Sequence, residues 1–227
     1  MLTEEDKRFY EPVEKIQEKL IQSIPKDARV LDVGPGWHPF PRADVAVDFQ
    51  GPDAFPNVVW PKEWVKRDLA CERLPFKDKA FDFIYCRQVL EDMWNPFFLM
   101  EEMQRVGKAG YIECPSPFAE LCAGIEAKWH GYHHHHWVVY SDGATLKFIR
   151  KYPLVENLEI NGAAIADILR GGHKYWNTYY PWKDRIAFKH LQNAVDFHMP
   201  PGYGEVLTSA LVNSLKSTDT FWNGLNV

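Results

Sequence analysis

Apolar positions along the chain switch between two periods, and the switches place the elements. Over residues 3–24, Phe9, Val13, Ile16, Leu20 and Ile24 recur at three- and four-residue steps, the spacing of one helix face. Thr3 and Asp6 suit a cap pair at its start, and Pro12 marks a helix start or kink rather than an interior position. After Pro25-Lys26-Asp27, residues 28–33 form a short apolar strand that runs directly into Gly34-Pro35-Gly36. Residues 44–48 predict a second strand ending in Asp48, 58–67 a weak third ending at Asp68, 81–86 a fourth and 110–114 a fifth. Residues 89–106 read as helix, with Pro96 early enough to split off a first turn. Strands alternating with helices or short connections predict an α/β fold, a doubly wound Rossmann-like sheet that is mostly parallel.

Beyond Pro117 the pattern is less regular. Residues 118–128 suit a helix, and 137–140 and 145–149 two strands joined by a Ser-Asp-Gly turn at 141–143. Residues 160–227 mix helix with aromatic-rich loops. No repeat or linker divides the chain. The expectation is a single domain, 1–227, with an N-terminal helix (3–24), a ligand-binding core (28–117) and a substrate-side and C-terminal region (118–227).

Composition narrows the partners. A length of 227 residues suits one sizeable core and is short for two. The net charge of -5 provides no overall basic field for nucleic acid or an anionic membrane. No stretch approaches the ~18 apolar residues of a spanning helix. The opening residues lack the basic-then-apolar pattern of a secretory signal, and Cys71, Cys86, Cys114 and Cys122 show no CxxC spacing. Reduced thiols and a cytoplasmic location are the expectation. Aromatic residues crowd the second half, as packing or as the walls of a substrate pocket.

The chemistry centres on Asp32-Val33-Gly34-Pro35-Gly36. Glycine lets the backbone turn sharply and approach a ligand with no Cβ in the way, at the carboxyl edge of the first strand where doubly wound sheets bind ligands. A glycine pair alone specifies only a turn. Dinucleotide binding requires G-x-G-x-x-G and an acid ~20 residues on. Here Trp37-His38-Pro39 follows Gly36, Asp48 comes too early, and Pro39 and Pro41 discourage the helix on which a pyrophosphate would sit.

In order, the segments resemble the class I S-adenosylmethionine-dependent methyltransferases. Val30-Leu31-Asp32-Val33-Gly34-Pro35-Gly36 is similar to that family's first motif. Leu74-Pro75-Phe76, followed by Phe81-Asp82, resembles its approach to the fourth strand, and Val89-Leu90-Glu91-Asp92 its "VLEH" segment. Met100–Val106 and Gly110 match the helix and turn before the fifth strand. The likeness covers about residues 28–117, and the shortened first helix resembles a bacterial and phage subset. The resemblance implies the class I methyltransferase fold and S-adenosylmethionine as cofactor, which carries no phosphate and so does without the missing helix. It implies that Gly34, Pro35 and Gly36 pass beneath the methionine, with Asp32 near its amino group. Asp48 would hold the ribose hydroxyls and Phe49 flank the adenine. Asp68 would accept from the adenine amino group, with a backbone contact from Leu69. Arg87 and Gln88 would lie near the methionine and sulfonium. Asp92 stands where the family often has histidine.

An oxygen or nitrogen acceptor needs a base. Candidates are His135 and His136, in the run His133-His134-His135-His136, and Glu113 at the end of the fifth strand. The run admits three readings. These are a base or substrate contact, a solvated loop bonding its own backbone, and a metal site in which alternate residues such as His133 and His135 share one strand face. No metal is assigned. Cys86-Arg87-Gln88-Val89 stands where nucleic-acid amino-methyltransferases carry an Asp/Asn-Pro-Pro-aromatic motif. A small molecule, sugar or metabolite is therefore the expected acceptor, without nucleic acid or membrane. Two other functions remain open, a non-catalytic S-adenosylmethionine-binding scaffold of the same fold and a metal-dependent enzyme built on the histidine run.

Overall fold

A computed structural model describes residues 11–126, 128–191 and 200–225. The chain packs as two compact units, Glu11–Glu113 with Tyr180–Ile186, and Cys114–Tyr179 with the described part of 187–227. The first unit ends close to the end of the predicted ligand-binding core.

In the first unit, helix α1 (Glu14–Ser23) begins just after Pro12. The proposed cap residues Thr3 and Asp6, and Phe9, lie outside the described residues. Strands β1 (Val30–Val33), β2 (Val45–Asp48), β3 (Glu63–Lys66), β4 (Phe81–Arg87) and β5 (Gly107–Pro115) follow, with α2 (Pro96–Val106) between the last two. Strand β8 (Asn177–Lys183) completes a six-stranded sheet of order β3-β2-β1-β4-β5-β8. Pairs from β3 to β5 are parallel, with Leu31 opposite both Val45 and Ile84. β8 is the antiparallel edge, and Asp184 N donates to Lys108 O beyond its end. Parallel strands covered on both faces read as unbroken apolar runs, and Val30, Leu31, Val33, Val45, Ala46 and Val47 are fully buried.

Helix α2 is shorter than the periodicity of 89–106 predicts. Pro96 occupies its first turn and disfavours helical geometry in the residue before it. The Asn95 side chain accepts from Phe98 N (3.4 Å), so 89–95 becomes tight turns instead. Arg105 on α2 pins the Leu74-Pro75-Phe76 loop, donating to Leu74 O (2.9 Å) and Phe76 O (2.8 Å). Glu102 pairs with Arg105 (2.6 Å) and accepts from Leu74 N (2.9 Å). Its hydrogen bonds from Arg105 and Leu74 keep Glu102 ionised below the usual range despite its burial.

The second unit contains α3 (Pro117–Leu121), the antiparallel hairpin β6 (Trp137–Ser141) and β7 (Leu146–Arg150), α4 (Gly162–Arg170), β9 (Phe188–His190) parallel to β7, and α5 (Pro200–Gly224). The hairpin turns where the sequence predicts, with Asp142 Oδ1 accepting from Ala144 N and Thr145 N and Gly143 at φ +93°. The helix expected over 118–128 stops at Leu121. Cys122–Gly131 instead doubles back, bridging Ala123 to His130 around Gly124 (φ +84°). Phe118, Tyr132, Trp176 and Tyr203 join one apolar core here, so much of the aromatic excess is packing. The aromatic segment that ends in Tyr179-Tyr180-Pro181-Trp182 forms the edge strand β8. Its Thr and aromatic side chains suit a pleat, and the edge tolerates Pro181.

Arg105→Ala removes the tethers to Leu74 O, Phe76 O and the Asp78 carboxylate (3.0 Å) and leaves Glu102 with a buried charge less well paired. Urea unfolding is expected to show a loss of about 2–3 kcal/mol, with the m-value unchanged.

Candidate active site

The site forms where β1 ends. Gly34 has φ +68° and Gly36 φ +47°, conformations that disfavour any side chain. A Cβ on Gly34 would lie 2.4 Å from Val89 Cγ2, so the turn and the chain leaving β4 approach as closely as they do only because residue 34 is glycine. Gly34 N donates to Val47 O (2.9 Å), Trp60 Nε1 donates to Gly36 O (3.1 Å) and Gly36 N donates to Asp48 Oδ2 (3.3 Å). The turn is thus tied to β2 and to its terminal carboxylate.

Asp48 also accepts from Gln50 N (3.0 Å) through Oδ1. Burial raises its pKa, partly offset by these backbone donors. Asp68 follows β3. Its Oδ1 accepts from Ala70 N (2.9 Å), while its own N–H donates to Glu72 (2.7 Å), which fixes the carboxylate and the Leu69 backbone beside it. Gln88 adopts φ +55°, and its N–H donates to Glu113 O (2.8 Å).

These groups surround one cleft of about 770 Å³, within the size range of small-molecule and cofactor sites. Seven of the predicted cofactor residues line it: Gly34, Gly36, Asp48, Phe49, Asp68, Leu69 and Gln88. The structure adds Val89, Asp92, Met93 and Trp94, which the helix reading of 89–106 conceals. Trp94 is 68% exposed beside a Pro-initiated helix, and that Trp-Asn-Pro join is the only sequence signal for it.

Asp32, Pro35 and Arg87 lie behind this lining rather than in it. Pro35 is buried, its carbonyl accepting from His38 N (2.9 Å). The Asp32 carboxylate accepts from Phe40 N at 2.6 Å. Burial pushes its pKa up to about 7, opposed by the Phe40 bond, with Asp48 adding repulsion. Arg87 donates through Nε to Glu113 Oε1 (3.0 Å), and Tyr111 Oη–H donates to Glu113 Oε2 (2.5 Å). Burial opposes the Arg87 charge, but Glu113 outweighs it and holds the guanidinium protonated. Glu113 is therefore engaged in a buried pair. This accounts for a charge on a core strand.

The histidine run precedes β6 as a turn, so the strand alternation that would pair His133 with His135 does not apply. His135 is buried, its Nδ1 lies 2.5 Å from Glu120 Oε1, and its ring packs 4.4 Å from Tyr132. Lys151 Nζ donates to Glu120 Oε2 (2.7 Å) and to Tyr132 O (2.7 Å). Glu120 is fully buried, yet His135 and Lys151 outweigh that burial and keep it ionised below the usual range. Neither Glu120 nor Lys151 is marked as functional by sequence pattern. His136 is half-buried, and its carbonyl accepts from Lys151 N (2.9 Å).

The sheet order, with the antiparallel edge strand and the glycine turn after β1, defines the class I methyltransferase fold. Residues 42–112 match the family described as "Methyltransferase domain". No curated protein matches the chain. Among solved structures, it is similar to an S-adenosylmethionine-dependent methyltransferase of Mesorhizobium loti (15% identity, 59% of this chain, 62% of that one, TM-score 0.36). It is similar also to one of Aquifex aeolicus (19%, 52% and 75%, TM-score 0.34) and to the [4+2]-cyclase SpnF (18%, 46% and 46%, TM-score 0.36). The chain spans about half the length of several solved structures that it matches.

The cleft fits S-adenosylmethionine on the chain's own geometry. Nothing nearer than Phe55, at 4.0 Å, stands where a Gly36 Cβ would project, and carboxylates end the β2 side and follow β3. Gly34→Ala is expected to strain the turn against Val89 and to weaken cofactor binding at least about tenfold by titration calorimetry.

Asp32 generates a pH prediction. Its raised pKa means that the fold favours the protonated carboxyl. That contribution is complete below the unfolded value of 3.8 and is lost as pH rises to about 7. Asp32→Asn keeps an acceptor for Phe40 N and removes the charge. Relative to wild type, its stability is expected to rise between pH 4 and 7, reaching a gain on the order of 2–4 kcal/mol at pH 8 in denaturant titrations.

Proposed function

We propose that this protein transfers a methyl group from S-adenosylmethionine to an oxygen or nitrogen of a small-molecule, sugar or metabolite acceptor. The carrying observation is the cleft that gathers Gly34 and Gly36, Asp48, Asp68 and Leu69 at the carboxyl ends of successive parallel strands. When bound, the cofactor supplies an activated methyl group on a sulfonium. The protein then has to position the acceptor and keep water out.

In this reading Asp48 holds the ribose hydroxyls, Asp68 and the Leu69 backbone hold the adenine edge, and Phe49 lies against its face. Gly34 and Gly36 give the methionine room, and Gln88 borders its sulfonium end. Asp32, Arg87 and Glu113 act from behind as a buried charged layer, with Glu113 holding Arg87 protonated. The residue whose own surroundings suit general-base work is His135. A carboxylate on Nδ1 fixes the ring's tautomer and orientation. His136, beside it on the same turn, is the second candidate. The net charge supports an acceptor that is not nucleic acid. Among the described residues no helix is long and apolar enough to cross a membrane.

The first experiment is titration calorimetry with S-adenosylmethionine and S-adenosylhomocysteine. Wild type is expected to bind in the micromolar range and Asp48→Ala at least about tenfold more weakly. No heat at high micromolar ligand overturns the reading. Release of S-adenosylhomocysteine with an acceptor panel then separates an enzyme from a binding scaffold. With an acceptor in hand, His135→Asn is expected to lower kcat by about 10²–10⁴ while cofactor affinity is unchanged.

A further inference from the structure

A second cluster of donor groups, unused by methyl transfer, lies in the loop between α3 and β6. The chain doubles back here, with Gly131 N donating to Cys122 O (2.9 Å) and Gly124 N to Trp129 O (3.1 Å). Glu126, within this loop, reaches the start of the histidine run. Its Oε2 accepts from His133 N (2.9 Å) and lies 2.6 Å from His133 Nδ1 and 3.5 Å from His134 Nδ1. One ligand atom from each of the three residues falls within 4.8 Å of the others. The two imidazole rings stand 5.4 Å apart at 78°, so both address one carboxylate without stacking.

Two imidazole nitrogens and one carboxylate oxygen form a donor set for zinc, whereas magnesium and calcium take oxygen alone. Tetrahedral bonds of 2.0–2.1 Å place ligand atoms about 3.3 Å apart. The observed 2.6 and 3.5 Å separations bracket that value. The side chains are 63%, 46% and 33% exposed for His133, His134 and Glu126, so small rotations reach the ideal geometry and a water can complete the shell. Although burial opposes it, hydrogen bonding from His133 keeps Glu126 ionised, the form that binds metal.

We propose that Glu126, His133 and His134 bind one zinc ion, with water as the fourth ligand, and that the ion clasps the 122–131 loop to the segment entering β6. Zinc at Nδ1 takes the place of the hydrogen between His133 and Glu126, and the neutral imidazole carries its hydrogen on Nε2 instead. His135 itself is engaged by Glu120, and the site stands independently of the methyltransferase reading.

The test is calorimetric titration of zinc chloride into EDTA-stripped protein that carries no affinity tag. One zinc per chain is expected at about pH 7.5, with micromolar affinity. A hundredfold excess of zinc over Kd is expected to raise the melting temperature on the order of 5 °C. Glu126→Gln should weaken binding at least about tenfold, and His136→Asn should leave it unchanged. His134→Asn leaves both Glu126–His133 bonds in place and should also weaken binding, which separates a lost ligand from a disturbed loop. The proposal is overturned if zinc does not bind at roughly 100 µM, if Glu126→Gln binds as well as wild type, or if His136→Asn loses as much affinity as His134→Asn.

Discussion

The absence of a side chain at Gly34 is the constraint on which the site depends. With only 2.4 Å between the position of a Cβ and Val89 Cγ2, the turn after β1 and the chain after β4 can lie against each other for one residue type alone. That approach places Gln88 and Val89 across the cleft from Asp48 and Asp68. The parallel register of β1 with β2 and β4 fixes where each strand ends, and Gly36 N on Asp48 ties the turn to its neighbour.

Behind the cleft is a layer of charge at a depth where charge is costly. Asp32 has one short bond, to Phe40 N, and burial pushes its pKa up to about 7. Arg87 and Glu113, by contrast, satisfy each other, with Tyr111 as a further donor. The fold therefore tolerates a poorly compensated carboxyl at the end of β1, a compromise of stability characteristic of ligand sites. A cationic amino group nearby would relieve it.

The second unit solves a similar problem differently. Glu120 is completely buried and remains ionised because His135 and Lys151 both reach it, each within 2.7 Å. Tyr132 closes the cluster, giving its ring to His135 and its carbonyl to Lys151. Four histidines in a row thus have unlike surroundings. His135 is locked to a buried acid, while His133 and His134 face solvent beside Glu126.

Local information was enough for the first half of the chain. Unbroken apolar strands, the glycine turn and the acids at 48 and 68 are all written within a few residues of where the strands end, and the rules for parallel connections leave only a handful of sheet arrangements open to such a pattern. Seven of ten expected cofactor residues meet at the cleft for that reason. Tertiary structure decided what depends on distant partners. Pro96 and its Asn95 cap ended the apparent helix of 89–106 and turned Met93 and Trp94 into cleft wall. Edge pairing made a strand of the aromatic 177–183 segment, whose composition also fits packing. The histidine run depended most on distant partners, because periodicity carries no record of Glu120, Glu126 or Lys151. Only the folded chain brings those groups within hydrogen-bonding distance, and only there does each histidine acquire a chemistry of its own.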